Sequence, residues 1–179
     1  MNAANLVTLA RIGLTPLFVL AVWRDAHGGA GWPAAAIFTA VALSDFVDGR
    51  VARRLGVASR LGRVLDHGAD IGFLLAALAT YVAVGLAPWW VPASIAASFA
   101  VYVGDSLRAS AARPQLLGSR LGHLGGIANY VIVGVLVGNH TLGLGWIPPW
   151  LMACLFAAVP LYSGLSIVSR LGASAPAPY

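Results

Sequence analysis

The stretch Asp45-Phe-Val-Asp48-Gly-Arg-Val-Ala-Arg-Arg-Leu-Gly56-Val-Ala-Ser-Arg-Leu-Gly-Arg-Val-Leu-Asp66-His-Gly-Ala-Asp70 is a polar segment between two apolar ones, and it decides how the chain folds. It holds four of the six acidic residues of the chain. Asp45 and Asp48 are three residues apart and Asp66 and Asp70 are four apart, so each pair lies on one face of a helix. A short basic turn around Gly56 makes the two helices antiparallel neighbours. We therefore expect both carboxylate pairs to converge at one end of a helix pair.

Four converging carboxylates repel one another unless a cation neutralises them. Oxygen ligands suit Mg²⁺ or Mn²⁺ better than zinc or copper, and such ions keep open positions for substrate phosphates. Gly49 and Ala52 are small and leave room for a ligand beside Asp48. Arg53 adds positive charge next to a bound diphosphate. The competing interpretation, in which the aspartates only pair with nearby arginines, does not explain why all four occur at this spacing.

The composition predicts an all-α integral membrane bundle. Hydrophobic residues make up 59% of the 179 residues and charged residues only 9%, whereas soluble domains carry about 25% charged residues. A membrane-spanning helix needs about 20 apolar residues, so the chain has room for six spans and no separate soluble domain. We expect one membrane domain over residues 1–171 and a disordered tail over 172–179. The six candidate spans are Leu6–Trp23, Ala30–Asp48, Asp70–Leu86, Trp89–Leu107, Leu124–Val137 and Ile147–Val168.

Arginine positions predict the orientation of these spans. All eleven basic residues are arginines, and ten of them fall on one side of the predicted membrane, with only Arg24 on the other. Basic loops stay in the cytoplasm, so we expect a multi-pass protein of the cytoplasmic (inner) membrane with both termini and the aspartates on the cytoplasmic side. The arginines do not form a basic face interleaved with aromatics, which argues against nucleic-acid binding. Five tryptophans fall near the opposite side and suggest an interfacial belt: Trp32, Trp89, Trp90, Trp146 and Trp150.

The aspartate segment resembles the signature of the CDP-alcohol phosphotransferases. All eight fixed residues of that signature occur at its spacing: Asp45, Asp48, Gly49, Ala52, Arg53, Gly62, Asp66 and Asp70. The opening Asn5-Leu-Val-Thr8-Leu-Ala-Arg11 is also similar to the start of bacterial members, including phosphatidylglycerophosphate synthases and cardiolipin synthases. The resemblance covers nearly the whole chain.

The resemblance implies a function for these residues. Asp45, Asp48, Asp66 and Asp70 would bind the metal, and Asp70 would be the general base that takes the proton from an alcohol acceptor. The acceptor oxygen would attack the β-phosphorus of CDP-diacylglycerol, and CMP would leave. Similar enzymes are homodimers. The nucleotide pocket would be formed by Asp48, Gly49, Ala52, Arg53, Gly62 and Thr8.

The acceptor would be recognised by the second cytoplasmic turn, through Arg108, Arg113, Arg120 and His123. Arginine suits bidentate phosphate contacts, but these residues could also enforce topology or contact lipid headgroups. Asp105 also lies three residues before Arg108 and could pair with it locally. Glycerol 3-phosphate is the first choice, and phosphatidylglycerol, inositol phosphate and serine are alternatives with the same chemistry. The lysine-rich segment expected of phosphatidylglycerophosphate synthases is absent, because His123 stands where a lysine usually falls and the chain has no lysine.

Two hypotheses from other functional classes fit the sequence less well. A small transporter could use intramembrane aspartates as a relay, but it should carry them near the bilayer midplane on helices from both halves. Here four aspartates cluster at one end of two consecutive helices. A purely structural role for the membrane protein would not explain why the four aspartates occur together at this spacing. His67 lies at a variable position of the signature and is interpreted as a neighbour of the site.

Overall fold

The computed structural model describes the backbone of residues 3–55, 60–112 and 120–173, and the side chains of residues 8–44, 67–104 and 125–170. Within these ranges the chain is helical and contains no strand, which confirms the predicted all-α class. Six α-helices and one π-helical turn follow one another: α1 Ala3–Ala26, α2 Trp32–Leu55, α3 Arg60–Ala83, α4 Trp90–Ala112, α5 Arg120–Leu136, the π-turn Val137–Thr141, and α6 Pro149–Ala173.

The helices are longer than the apolar spans predicted from sequence. Helix α2 continues past Asp48 to Leu55, and α3 begins at Arg60 rather than Asp70. The difference has a physical reason, since an apolar stretch marks only the part of a helix that suits lipid, while the backbone hydrogen bonds continue through polar residues. Helix α6 likewise reaches Ala173, and the rest of the predicted tail lies outside the described residues.

Two glycines end helices with the same cap. Gly28 has φ +90° after α1, and Gly85 has φ +77° after α3. At each cap two backbone N–H groups donate to carbonyls of the last turn. After α1, Gly28 donates to Asp25 at 3.0 Å and Gly29 to Arg24 at 2.8 Å. After α3, Gly85 donates to Val82 at 3.0 Å and Leu86 to Tyr81 at 2.8 Å. This Schellman arrangement satisfies terminal carbonyl groups and favours glycine because the conformation is left-handed. Both glycines therefore fix where their helices stop.

The helices form two compact units. The first comprises residues 1–87 and 133–147, and the second comprises residues 88–132 and 148–179. In the first unit α1 packs against both α2 and α3, and the π-turn contacts α1 and α2. In the second unit α4 packs against α6. The prediction of a single membrane domain over residues 1–171 stays a prediction.

Within the first unit, the π-turn contacts residues near the C-terminal ends of α1 and α3. The Tyr81 hydroxyl lies 2.7 Å from Thr141 Oγ1, and both residues are buried. A Cβ atom added to Gly31 would lie 1.7 Å from the Thr141 carbonyl oxygen and 3.1 Å from Asp25 Oδ1. Burial raises the pKa of the Asp25 carboxyl above its ordinary value.

The loop after the π-turn is held by the Asn139 side chain, which accepts a hydrogen bond from the Ile147 N–H at 2.8 Å and donates one to the Ile147 carbonyl.

The second unit carries polar contacts among its apolar residues. The Tyr162 hydroxyl donates a hydrogen bond to Asn129 Oδ1, joining α6 to α5. The Arg170 guanidinium lies over the Tyr102 ring at 4.8 Å from its centroid, joining α6 to α4. These contacts hold polar side chains of α6 in an otherwise apolar helix.

One segment among the described residues, Pro149–Arg170, is both long and apolar enough to cross a membrane by length and composition. Shorter apolar segments occur at Trp32–Ser44, His67–Ala83 and Trp90–Gly104. The predicted six helices are thus observed, whereas their crossing of a membrane and the cytoplasmic termini stay predictions. Helix α1 carries Arg11, Arg24 and Asp25 in and around its apolar run.

Candidate active site

Asp70 forms an ion pair with Arg11 of α1. The Nη1 group of Arg11 donates to Oδ1 of Asp70, across 59 positions of sequence. The arginine side chain is 1% exposed, whereas the aspartate side chain is 16% exposed. The buried cation thus balances the negative charge of a carboxylate that solvent or a ligand can still reach.

Aromatic packing fixes α1 against α3 next to this ion pair. Phe18 lies seven residues after Arg11, and Phe73 lies three residues after Asp70. The two rings are buried, with centroids 5.2 Å apart and planes tilted by 57°. Because both contacts advance in the same direction along the chain, α1 and α3 run parallel. The Thr15 hydroxyl adds a 2.8 Å hydrogen bond to the Arg11 carbonyl within α1.

The other three predicted metal ligands lie on α2 and α3, the two helices that pack against α1. Asp45 and Asp48 belong to α2 and Asp66 belongs to α3, while their side chains lie outside the described ones. The predicted spacings of three and four residues therefore fall on continuous helix in both cases. Among the described side chains no group of three or more His, Cys, Asp or Glu could hold a metal ion, since Asp70 is the only predicted ligand that they include.

Of the predicted nucleotide residues, only Thr8 has a described side chain. It is half-buried on α1 and lies three residues before Arg11, so both residues are on one face of that helix. The remaining residues of the predicted pocket fall on helical backbone, with Gly49, Ala52 and Arg53 on α2 and Gly62 on α3. His67, which follows Asp66 on α3, is half-buried.

The predicted acceptor residues belong to the second unit. Arg108 lies on α4, and Arg120 and His123 lie on α5, with side chains outside the described ones. Arg113 lies outside the described residues altogether. Their role in binding an acceptor stays a prediction.

Sequence reasoning did not assign Arg11 to the site. The residue was counted as a topology signal and as part of the N-terminal resemblance. A sequence signal was present, because an arginine within an apolar segment is costly and indicates a nearby partner. Which of the six aspartates pairs with it could not be predicted, since helix periodicity does not say which helices are neighbours.

Comparison with known proteins identifies the family. The family model for CDP-alcohol phosphatidyltransferases matches residues 1–161. The chain belongs to the CDP-alcohol phosphatidyltransferase family. The predicted family and the enzyme class that it names are therefore confirmed.

Curated relatives carry two kinds of name. The chain is 37% identical over 92 residues to a probable phosphatidylglycerophosphate synthase of Mycobacterium tuberculosis, which covers 50% of this chain and 44% of that protein. It is 30% identical over 167 residues to a putative cardiolipin synthase of Mycobacterium bovis, covering 88% of this chain and 73% of the relative. A Bacillus subtilis CDP-diacylglycerol–glycerol-3-phosphate 3-phosphatidyltransferase is 36% identical over 112 residues, covering 56% and 58%. The matches to the first and third thus span less than two thirds of those proteins.

Family membership bears on the metal and the membrane. Members of this family use a divalent metal ion and are membrane-associated biosynthetic enzymes. Asp70 fits a role toward such an ion, because it offers hard oxygen donors and its carboxylate is reachable. The identity of the metal, the number of ions and the homodimer are matters for proposal.

Proposed function

We propose that this protein transfers a phosphatidyl group from CDP-diacylglycerol to glycerol 3-phosphate and releases CMP. The observation that carries the proposal is the complete eight-residue signature on two continuous helices, α2 and α3, that both pack against α1. Asp70, the one signature residue with a described side chain, presents a part-exposed carboxylate that pairs with Arg11. A carboxylate in that setting can accept a proton from a hydroxyl group brought next to it.

The residues divide the reaction between them. Asp70 takes the proton of the acceptor hydroxyl, and the acceptor oxygen forms a bond to the β-phosphorus of the donor. The bond between that phosphorus and the CMP oxygen breaks, and CMP leaves with the electron pair. Thr8, Gly49, Ala52, Arg53 and Gly62, together with Asp48, hold the cytidine diphosphate.

Asp45, Asp48, Asp66 and Asp70 would hold Mg²⁺ or Mn²⁺. When bound, the ion supplies Lewis-acid stabilisation of the charge that develops on the diphosphate. Replacing Asp66 by alanine should raise the Mg²⁺ concentration needed for half-maximal CMP release. An unchanged Mg²⁺ titration in that variant would count against a ligand role for Asp66.

Glycerol 3-phosphate is proposed as acceptor because two of the relatives above carry that activity in their names. Arg108, Arg113, Arg120 and His123 are proposed to bind its phosphate. Arginine forms two parallel hydrogen bonds to phosphate oxygens and so selects a phosphorylated alcohol.

Phosphatidylglycerol is the second candidate acceptor, favoured by a specific observation. The relative named as a putative cardiolipin synthase aligns with 88% of this chain, more than the relatives named for glycerol 3-phosphate. The chain also has no lysine in the segment around residues 119–126, where phosphatidylglycerophosphate synthases are expected to be rich in lysine. Inositol phosphate and serine complete the set of acceptors to be compared.

An acceptor screen on delipidated, purified protein tests the proposal. CDP-diacylglycerol and Mg²⁺ or Mn²⁺ are supplied with one acceptor at a time, and both CMP and the lipid product are measured. We expect phosphatidylglycerophosphate from glycerol 3-phosphate. If cardiolipin formed with phosphatidylglycerol and no other acceptor reacted, the proposed acceptor would be wrong but the phosphatidyltransferase activity would stand. Ion flux without CMP release would favour a transporter.

The protein is proposed to lie in the cytoplasmic membrane as a multi-pass homodimer, with its aspartates facing the cytoplasm. The arginine bias supports this orientation. Trp32, Trp89, Trp146 and Trp150, near the predicted opposite face, are 68–76% exposed on the protein surface. Such rings suit the headgroup region of a bilayer.

A further inference from the structure

We propose that Arg11 is a positioning residue, which holds the Asp70 carboxylate in the orientation that proton transfer requires. The inference rests on the proposed function, because it takes Asp70 as the general base. It adds to the site a residue of α1 that lies outside the eight-residue signature. Arg11 acts through Asp70 and need not contact substrate.

Burial distinguishes the two partners of the ion pair. Arg11 is 1% exposed, so its charge is removed from solvent, while Asp70 keeps 16% exposure. A buried charge is costly unless it is paired, and the pairing is strongly directional because guanidinium N–H groups are fixed in a plane. The contact engages Oδ1, and Oδ2 of the same carboxylate is not part of this bond. Arg11 therefore holds the carboxylate through one oxygen, while the aspartate side chain stays part-exposed.

Stability alone does not account for a charged pair at this position. The described ring contact between α1 and α3 is apolar, with Phe18 0% and Phe73 1% exposed. Buried ion pairs can often be replaced by apolar residues at little or no loss of stability. An apolar pair would pack there, but it could not orient a carboxylate.

The position of Arg11 is itself fixed. The rings of Phe18 and Phe73 pack α1 against α3, and Thr15 donates a hydrogen bond to the Arg11 carbonyl within α1. Helix α1 also packs against α2, which carries Asp45 and Asp48. One helix thus contacts both helices of the signature and orients the proposed base.

Steady-state kinetics of Arg11 variants test the role. Arg11→Gln should lower kcat for CMP release by about 100-fold, since a misplaced catalytic group costs on that order. The KM for CDP-diacylglycerol should stay within about twofold, because the donor pocket is formed by other residues. Arg11→Lys keeps the charge without the planar fork and should recover part of the loss. Rates are normalised to sites that bind donor, so that unfolded protein does not count.

Phe18→Leu is the matched control. It lies on the same helix, faces the same partner helix and weakens packing without removing the contact to Asp70. It should lower the unfolding temperature and leave kcat per binding-competent site unchanged. Equal losses of kcat in Phe18→Leu and Arg11→Gln, or no loss in Arg11→Gln, would overturn the positioning role.

A thermal double-mutant cycle in the presence of EDTA gives a readout apart from catalysis. Arg11→Met should lower the unfolding temperature more in the wild-type background than in an Asp70→Asn background, because only the wild-type carboxylate is charged and interacts with the guanidinium. The double variant should lose clearly less than the sum of the two single-variant shifts. Additive shifts would overturn the ion pair itself. A folded wild-type protein that releases no CMP would instead overturn the proposed function and the role built on it, whatever the cycle shows.

Discussion

The hydroxyl of Tyr81 at the end of α3 lies 2.7 Å from the hydroxyl of Thr141 in the π-turn, and both side chains are buried. Tyr81 lies in the last turn of α3, whereas Asp70 lies nearer its start. The two positions are separated by about 16 Å along the helix. This hydrogen bond therefore joins two segments of the first unit at a distance from the proposed chemistry.

Removing either hydroxyl should destabilise the protein without changing catalysis. Tyr81→Phe and Thr141→Val should each cost about 1 kcal/mol, because the remaining hydroxyl loses its partner in a buried setting. The double variant should cost less than the sum. Thermal unfolding in detergent measures the effect, and CMP release per folded site serves as the control. A fall in that rate would contradict a purely structural role.

Gly31→Ala should be strongly destabilising. The added Cβ would meet the Thr141 carbonyl oxygen at 1.7 Å and its carbon at 2.7 Å, so backbone must move. Overpacking of this kind costs about 1–3 kcal/mol. Gly13→Ala is the matched control, because a Cβ there meets nothing within 4 Å and alanine favours helix. Equal unfolding temperatures for the two variants would show that the close approach at Gly31 does not exist in solution.

Asp70→Asn should abolish CMP release and keep metal-dependent binding of CDP-diacylglycerol. Loss of a general base costs about 10²–10⁴ in rate. Radiolabelled donor binding and CMP release, measured on the same folded sample, separate the two steps. Full turnover in Asp70→Asn would rule out this residue as the base.

Asp25→Asn is the control for removing a carboxylate from the same unit. Burial raises the pKa of Asp25, so folding favours the protonated form, and the contribution of this group to stability is lost as pH rises through its folded pKa. The amide has no such loss, so the variant should be at least as stable as wild type at neutral pH and equally active. Unfolding temperatures at acidic and neutral pH measure the difference.

Chemical labelling tests the proposed orientation. In a Cys154→Ala background, Ala30→Cys should react with a membrane-impermeant maleimide. The reagent is added to cells whose cytoplasmic membrane is intact and whose outer layers have been removed. Ala58→Cys, in the basic segment that the sequence predicts as a turn between α2 and α3, should react only after the membrane is opened. The reverse pattern would contradict the positive-inside assignment that puts the aspartates in the cytoplasm.

Much of the helical architecture could be predicted from sequence. Long apolar runs indicate helices in lipid, and Gly28 and Gly85 end two of them as turn formers do. Pro88 and Pro148 precede α4 and α6, whereas Pro16 and Pro160 lie inside α1 and α6 without ending either helix. Such helices tolerate proline because neighbouring groups can satisfy the freed carbonyl.

Contacts between distant segments could not be predicted in the same way. The pairing of Arg11 with Asp70, and of Tyr81 with Thr141, depends on which helices are neighbours and in which rotation. Local periodicity gives the face of a helix but not its partner. The π-turn at Val137–Thr141 also left no periodic signal, since it is a single widened turn with a 2.9 Å bond from the Leu142 N–H to the Val137 carbonyl.

The central claim is that this chain is a phosphatidyl transferase that depends on Asp70. Its most direct test is the amount of CMP released from CDP-diacylglycerol by delipidated wild-type protein with Mg²⁺, with and without glycerol 3-phosphate. The account predicts acceptor-dependent CMP release that matches phosphatidylglycerophosphate formed, stops on chelation and is lost in Asp70→Asn. Folded wild-type protein that releases no CMP with glycerol 3-phosphate, phosphatidylglycerol, inositol phosphate or serine would contradict it.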